Sequence, residues 1–177
     1  HEFAHIASLQ KTRNRMPRWL SEGISGFEER ERDKAWGERA AVEYKQVYAQ
    51  EGVPRIHHLE RYFTTPKSGL YLQYGYFVSA EFIDFYTTRY GFPALNSALE
   101  QIGDGEAADA ALAKAAGLTL RELNDAFADS LRHRLRKFEN LPEIRTSRGR
   151  SVSVMDEGTS VTLGGQSWSE ARSPFTD

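Results

Sequence analysis

The chain has 177 residues, 23 basic against 25 acidic, a formal charge of −2; 40% are hydrophobic and 27% charged. That is enough apolar material for one domain with a core. The near-neutral balance gives no case for a nucleic-acid footprint, no apolar run approaches a membrane span, and the lack of cysteine excludes disulfides and thiolate-held zinc.

The predicted elements run as follows. Residues 1 to about 14 carry Phe3, Ile6, Ala7 and Leu9 at helical spacings. Pro17 fits the first turn of a second helix, which continues through Trp19, Leu20, Ile24 and Phe27 into the charged run 28–34. A third helix over about 35–50 has a stripe of Trp36, Ala40, Tyr44, Val47 and Tyr48, and ends near Gly52-Val53-Pro54. Residues 53–69, with Pro54, Pro66 and Gly69, read as an irregular connection. The most apolar and aromatic stretch, 70–90, reads as a helix stopped by Gly91 with Pro93 beyond it. Within it, Tyr76, Phe77, Phe82, Phe85 and Tyr86 read as core. Shorter helices follow at about 93–102 and 106–116. Thr119-Leu120-Arg121-Glu122 then has the capping-box pattern and opens a last helix to about residue 138.

Beyond Asn140 the composition shifts to Ser, Gly, Arg and Thr, with a brief alternation at Ser151-Val152-Ser153-Val154. The expectation is a mostly α fold: a helical domain over 1–140, then a linker or tail over 141–177 with a short strand. His57, His58 and His133 read as ordinary surface residues, and the basic stretch 132–137 as decoration of a helix end.

The chemistry is concentrated at one end. His1-Glu2-Phe3-Ala4-His5 spells His-Glu-x-x-His, and residues i and i+4 of a helix share a face. His1 and His5 can therefore offer imidazole nitrogens to one metal ion, with Glu2 beside it and free to accept a proton from an activated water. A catalytic zinc generally has three protein ligands. Sixteen residues lie between His5 and Glu22 of Trp19-Leu20-Ser21-Glu22-Gly23, enough to end one helix, turn and return antiparallel. Glu22 is accordingly the third candidate ligand, with Glu28 as the fallback. Gly23 and Gly26 within one turn suggest that this helix approaches a neighbour closely, and packing on the histidine helix would bring Glu22 to the metal.

HEFAH followed by PRWLSEG and the Phe27-Glu28-Glu29 stretch resembles the gluzincin metallopeptidases, most closely the bacterial peptidase MA-like group, related to thermolysin and the aminopeptidase N-like enzymes. The resemblance extends from His1 to about Arg136. It implies the helical catalytic subdomain of a zincin, with one Zn²⁺ ligated by His1, His5 and Glu22 and with Glu2 as general base. Glu29, seven residues after the third ligand, would orient a ligand histidine by a hydrogen bond. Tyr71-Leu72-Gln73-Tyr74 ahead of an apolar helix ending in Tyr90-Gly91 resembles the family's downstream tyrosine pattern. Tyr71 would then stabilise the oxyanion, with Tyr74 the competing candidate.

The implied activity is zinc-dependent hydrolysis of a peptide or protein substrate, with no nucleic acid and no transmembrane segment involved in this chain. A metal-ligating helix that starts at its first ligand lacks a preceding turn, so an upstream part is expected to supply the substrate-aligning strand and complete the cleft. The resemblance also leans toward an extracytoplasmic or membrane-associated setting. Three other readings remain: a catalytically inactive zincin-like scaffold, a zinc hydrolase of another bond, and a purely structural helical module.

Overall fold

The computed structural model describes residues 1–33 and 44–139, together with four short strands within 143–169. The predicted helix over about 35–50 is thus visible only in its second half, the remainder lying outside the described residues. The chain divides into two units, His1–Leu135 and Arg136–Asp177.

Helices dominate the first unit: α1 (Glu2–Lys11), α2 (Arg18–Arg32), α3 (Tyr44–Glu51), α4 (Arg61–Thr64), α5 (Gly69–Gly103), α6 (Ala108–Ala115) and α7 (Leu120–Glu139), the last running on past Leu135. No described helix is long and apolar enough to cross a membrane. The centre of the unit is α5. Its fully buried Tyr74, Phe77, Phe82, Ile83 and Tyr86 give the other helices an aromatic spine to pack on. Trp19 of α2 meets Phe82 edge-on at 5.4 Å, and Phe127 of α7 meets the same ring at 5.1 Å. The Tyr86 hydroxyl donates to the Leu112 carbonyl at 2.7 Å, tying α6 to α5. Along α7, Leu123, Phe127, Leu131 and Leu135 are buried at four-residue spacing, one face of a helix turned to the core.

The two helices predicted for 70–90 and 93–102 are the two halves of α5, separated by a kink at Gly91, whose φ of 82° and ψ of 162° lie in a region essentially reserved for glycine. Pro93 follows within the first turn of the second half, where its missing N–H is harmless. The stretch read as an irregular connection holds a 3-10 turn, Ile56–His58, and the single-turn α4. It also contributes to the core, since Ile56, Leu59, Tyr62 and Phe63 are all buried. Asn124 of α7 accepts the Ile56 N–H at 2.8 Å and so holds that turn in place.

Charge joins three helices as well. Glu81, buried on α5, accepts from Arg30 of α2 at 2.6 Å and from Arg134 of α7 at 2.8 Å, and Arg134 also reaches Asp84 at 3.0 Å. The capping box at the start of α7 forms in both directions. Glu122 accepts from the Thr119 backbone at 2.8 Å, while the Thr119 hydroxyl oxygen accepts the Glu122 N–H at 3.2 Å.

The second unit contains two antiparallel pairs. Glu143–Arg145 (β1) pairs with Ser151–Ser153 (β2), and Ser160–Leu163 (β3) with Gln166–Ser169 (β4). Residues 151–153 of the predicted alternation thus form β2, one of four strands among the described residues where the sequence suggested one.

Candidate metal centre

The turn between α1 and α2 decides whether His5 and Glu22 can meet. It reverses the chain through Arg13 and Asn14, both with positive φ (51° and 58°), which is uncommon outside glycine. The end of α5 holds this turn: Arg15 donates to the Gly103 carbonyl at 2.9 Å, and Arg13 pairs with Asp104 at 3.2 Å. Glu60 caps the start of α2 by accepting the Trp19 N–H at 3.0 Å, satisfying a donor that has no partner within the helix. The two helices then run antiparallel, so that His5 lies level with Ser21 and Glu22, and His1 one turn away, level with Glu29.

Three donor atoms converge there. His1 Nε2 and His5 Nε2 are 3.1 Å apart, and Glu22 Oε2 is 3.7 Å from the first and 3.5 Å from the second. Among the described residues these three form the group able to hold a metal ion. Tetrahedral zinc with N and O ligands at about 2.0–2.2 Å has ligand atoms roughly 3.3–3.6 Å from one another, so the triangle matches in size. The protonation pattern fits too. Glu29 Oε1 lies 3.2 Å from His1 Nδ1, and an ionised carboxylate can only accept, so Nδ1 carries the proton and Nε2 a lone pair. His5 Nδ1 lies 2.7 Å from the Ser21 hydroxyl, and a neutral His5 that donates from Nδ1 to that oxygen leaves its Nε2 lone pair for a metal ion. A proton on one Nε2 can bridge the two rings at 3.1 Å, and a metal ion bound there would displace it.

The close approach signalled by Gly23 is made to a different partner from the one expected. Gly23 is pressed against α5, where a Cβ at this position would stand 2.7 Å from the Ser79 carbonyl oxygen. α5 therefore sets the depth of α2, and α2 sets the height at which Glu22 meets the histidines. Gly26 is less constrained, its imagined Cβ meeting only the Ala80 side chain at 3.4 Å.

Glu2 is exposed in the first turn of α1 and has no hydrogen-bond or ion-pair partner among the described residues. It lies about 100° round the helix from His1. A groove of about 1070 Å³, lined by Phe3, Ala4, Ala7, Ile24, Phe92 and Leu95, opens beside His1 and Glu29. Ala4 and Ala7 face the other way round α1 from Glu2, so this groove lies across the histidines from the expected base. Glu28, the fallback ligand, lines that groove and does not belong to the donor triangle.

Of the two tyrosines singled out from the sequence, one has its hydroxyl engaged elsewhere and the other is buried without a partner. The Tyr71 hydroxyl donates to Gln50 of α3 at 2.6 Å, and its ring stacks on Tyr62. Tyr74 is fully buried with its hydroxyl unpaired, and burial pushes its pKa far up. A third tyrosine, Tyr76, adjoins Arg18, the partner of Glu22. Its ring meets Phe63 edge-on at 5.1 Å, and the Arg18 guanidinium lies over the same Phe63 at 6.0 Å while its Nε donates to Glu22 Oε1 at 3.2 Å. The Glu22 carboxylate, and after it the Tyr76 hydroxyl, raise the Arg18 pKa.

Sequence reasoning therefore missed Ser21, Arg18 and Tyr76. The Arg18–Glu22 pair has a visible i,i+4 spacing. Ser21 precedes Glu22, but its role depends on how α1 and α2 are rotated against each other. Nothing in the periodicity separates Tyr76 from the core aromatics around it. No protein-family model, curated protein or solved structure matches this chain.

Proposed function

We propose that the chain carries the catalytic centre of a zinc-dependent peptidase of gluzincin type. The observation that carries this reading is the convergence of His1 Nε2, His5 Nε2 and Glu22 Oε2 at 3.1–3.7 Å, with Glu29 and Ser21 at hydrogen-bonding distance from the far nitrogens. Three ligands leave one tetrahedral position open, the mark of a catalytic rather than a structural zinc site. Zinc held there would polarise a scissile carbonyl and bring the pKa of water down toward about 7.

The remaining work falls to the chain's own side chains. Glu2, unpaired and next to the first ligand, takes the proton of the attacking water and passes it to the leaving amine. Tyr76 is the hydroxyl we assign to the developing oxyanion, because it adjoins Arg18 while the Tyr71 hydroxyl is engaged by Gln50. Glu29 and Ser21 hold the ligand rings in orientation.

Replacing Glu2 by Gln tests the reading directly. The variant is expected to retain about one zinc per chain while losing peptide cleavage by at least ~10², the scale of a lost general base. Wild-type protein that takes up no zinc refutes the metal site. Wild-type protein that takes up zinc but cleaves nothing in a diverse peptide library refutes the peptidase assignment.

A further inference from the structure

We infer that Arg18 is a positioning residue for the third metal ligand: it holds one oxygen of Glu22, so that the carboxylate presents only the other to the ion. The inference rests on the zinc-site reading above. The two oxygens of Glu22 already have different partners. Oε2 faces the histidine nitrogens at 3.5 and 3.7 Å, and Oε1 accepts from Arg18 Nε at 3.2 Å.

An exposed i,i+4 ion pair on a helix usually contributes little and fluctuates. Two features set this one apart. The Glu22 side chain is only 11% exposed, so its outer oxygen has little access to water. The guanidinium is also held from outside its own helix, lying 6.0 Å over the Phe63 ring of α4, which in turn packs edge-on against Tyr76 of α5. Arg18, its own side chain 55% exposed, thus approaches Phe63 of α4 as well as Glu22 from the position at which it faces the outer oxygen.

The consequence is for coordination number. A carboxylate that closes on a small divalent ion with both oxygens fills two positions, whereas one retained by a guanidinium fills one. Two nitrogens and one oxygen leave the fourth position to water or substrate. Arginine stays charged throughout the working pH range, so the restraint is permanent.

The test uses the full chain with Co²⁺ in place of Zn²⁺ as a visible probe of coordination number, and chelator competition for zinc affinity, on wild type, Arg18→Gln, Arg18→Lys and His5→Ala. Four-coordinate cobalt absorbs strongly in the visible and the intensity falls as ligands are added. Wild type is expected to give the strong spectrum, Arg18→Gln a weakened one with zinc affinity altered by about ten-fold, the scale of an outer-shell partner. Arg18→Lys should restore much of the wild-type spectrum, since a single charged donor suffices to hold one oxygen. A spectrum and affinity in Arg18→Gln equal to wild type overturn the inference, as does slower peptide turnover with an unchanged spectrum, which would put Arg18 on the substrate. If wild type takes up no more cobalt or zinc than His5→Ala, it is the metal-site reading that fails, an outcome distinct from the other two.

Discussion

Gly23 is one residue past the third candidate ligand, and its substitution separates packing from helix propensity in a way that can be worked out in advance. A Cβ at Gly23 would lie 2.7 Å from the Ser79 carbonyl oxygen and 2.9 Å from its carbon, about 0.7 Å short of ordinary contact with atoms of a helix backbone that cannot rotate aside. Gly→Ala in a helix otherwise gains about 1 kcal/mol, while overpacking a close-packed contact costs typically 1–3 kcal/mol. Against a rigid carbonyl the upper part of that range applies, so Gly23→Ala should destabilise the fold by about 1–2 kcal/mol net. Thermal unfolding followed by far-UV circular dichroism should show a midpoint lowered by roughly 2–8 °C, at about 2–4 °C per kcal/mol. Moving α2 outward by about 0.7 Å also exceeds the ±0.2 Å tolerance of metal–ligand distances, so zinc affinity should fall as well. Gly26→Ala is the internal control: on the same helix, its Cβ meets only the Ala80 side chain at 3.4 Å, and it should be neutral or stabilising by up to about 1 kcal/mol. If both variants shift the midpoint in the same direction by similar amounts, the argument from α2–α5 contact is wrong.

Further outcomes follow from the same contacts. Glu22→Ala and His5→Ala should each abolish stoichiometric zinc binding in chelator competition; retention of wild-type affinity by either would remove that residue from the ligand set. Ser21→Ala takes away the hydroxyl partner of His5 Nδ1 and should weaken zinc by roughly 10–100-fold with little change in folding stability. Unchanged affinity there would mean that His5 needs no such anchor. Glu81→Ala leaves Arg30 buried without its carboxylate and should cost about 3–5 kcal/mol in urea unfolding. A loss below about 1 kcal/mol would make that cluster an ordinary surface network.

Helix α7 shows what was readable without coordinates. Its capping box is encoded within four consecutive residues, and its buried positions recur every fourth residue, so both follow from local geometry. Gly91 was legible for the same reason, and its break separates two helical halves as its position in the sequence suggests. The apolar spacing on α1 marks a helix, which forms, but not the face it buries. Phe3 and Ile6 are 82% and 55% exposed, while Ser8 and Thr12 of the same segment are buried. Their hydroxyls make this possible by bonding back to carbonyls one turn earlier, Ser8 to Ala4 at 2.7 Å and Thr12 to Ser8 at 2.9 Å. Apolar periodicity says which residues share a face, but a small hydroxyl that satisfies itself can occupy the packed face instead.

The sequence by itself determined the donor types and their order along the chain: two histidines one turn apart, an acidic neighbour, and a glutamate far enough away to return. Spacing along a helix is local covalent geometry, so it needs no neighbours to be read. Tertiary structure alone decided what surrounds those donors. The rotation and depth of α2, set by Gly23 against Ser79 and by the Arg13–Asn14 turn on the end of α5, bring Ser21 to His5 and Arg18 between Glu22 and Phe63. The same packing turns Tyr71 to Gln50 and brings Tyr76 to Arg18. Which side chain meets which across two helices depends on about an ångström of translation and a fraction of a turn, fixed by close packing of residues far apart in the chain.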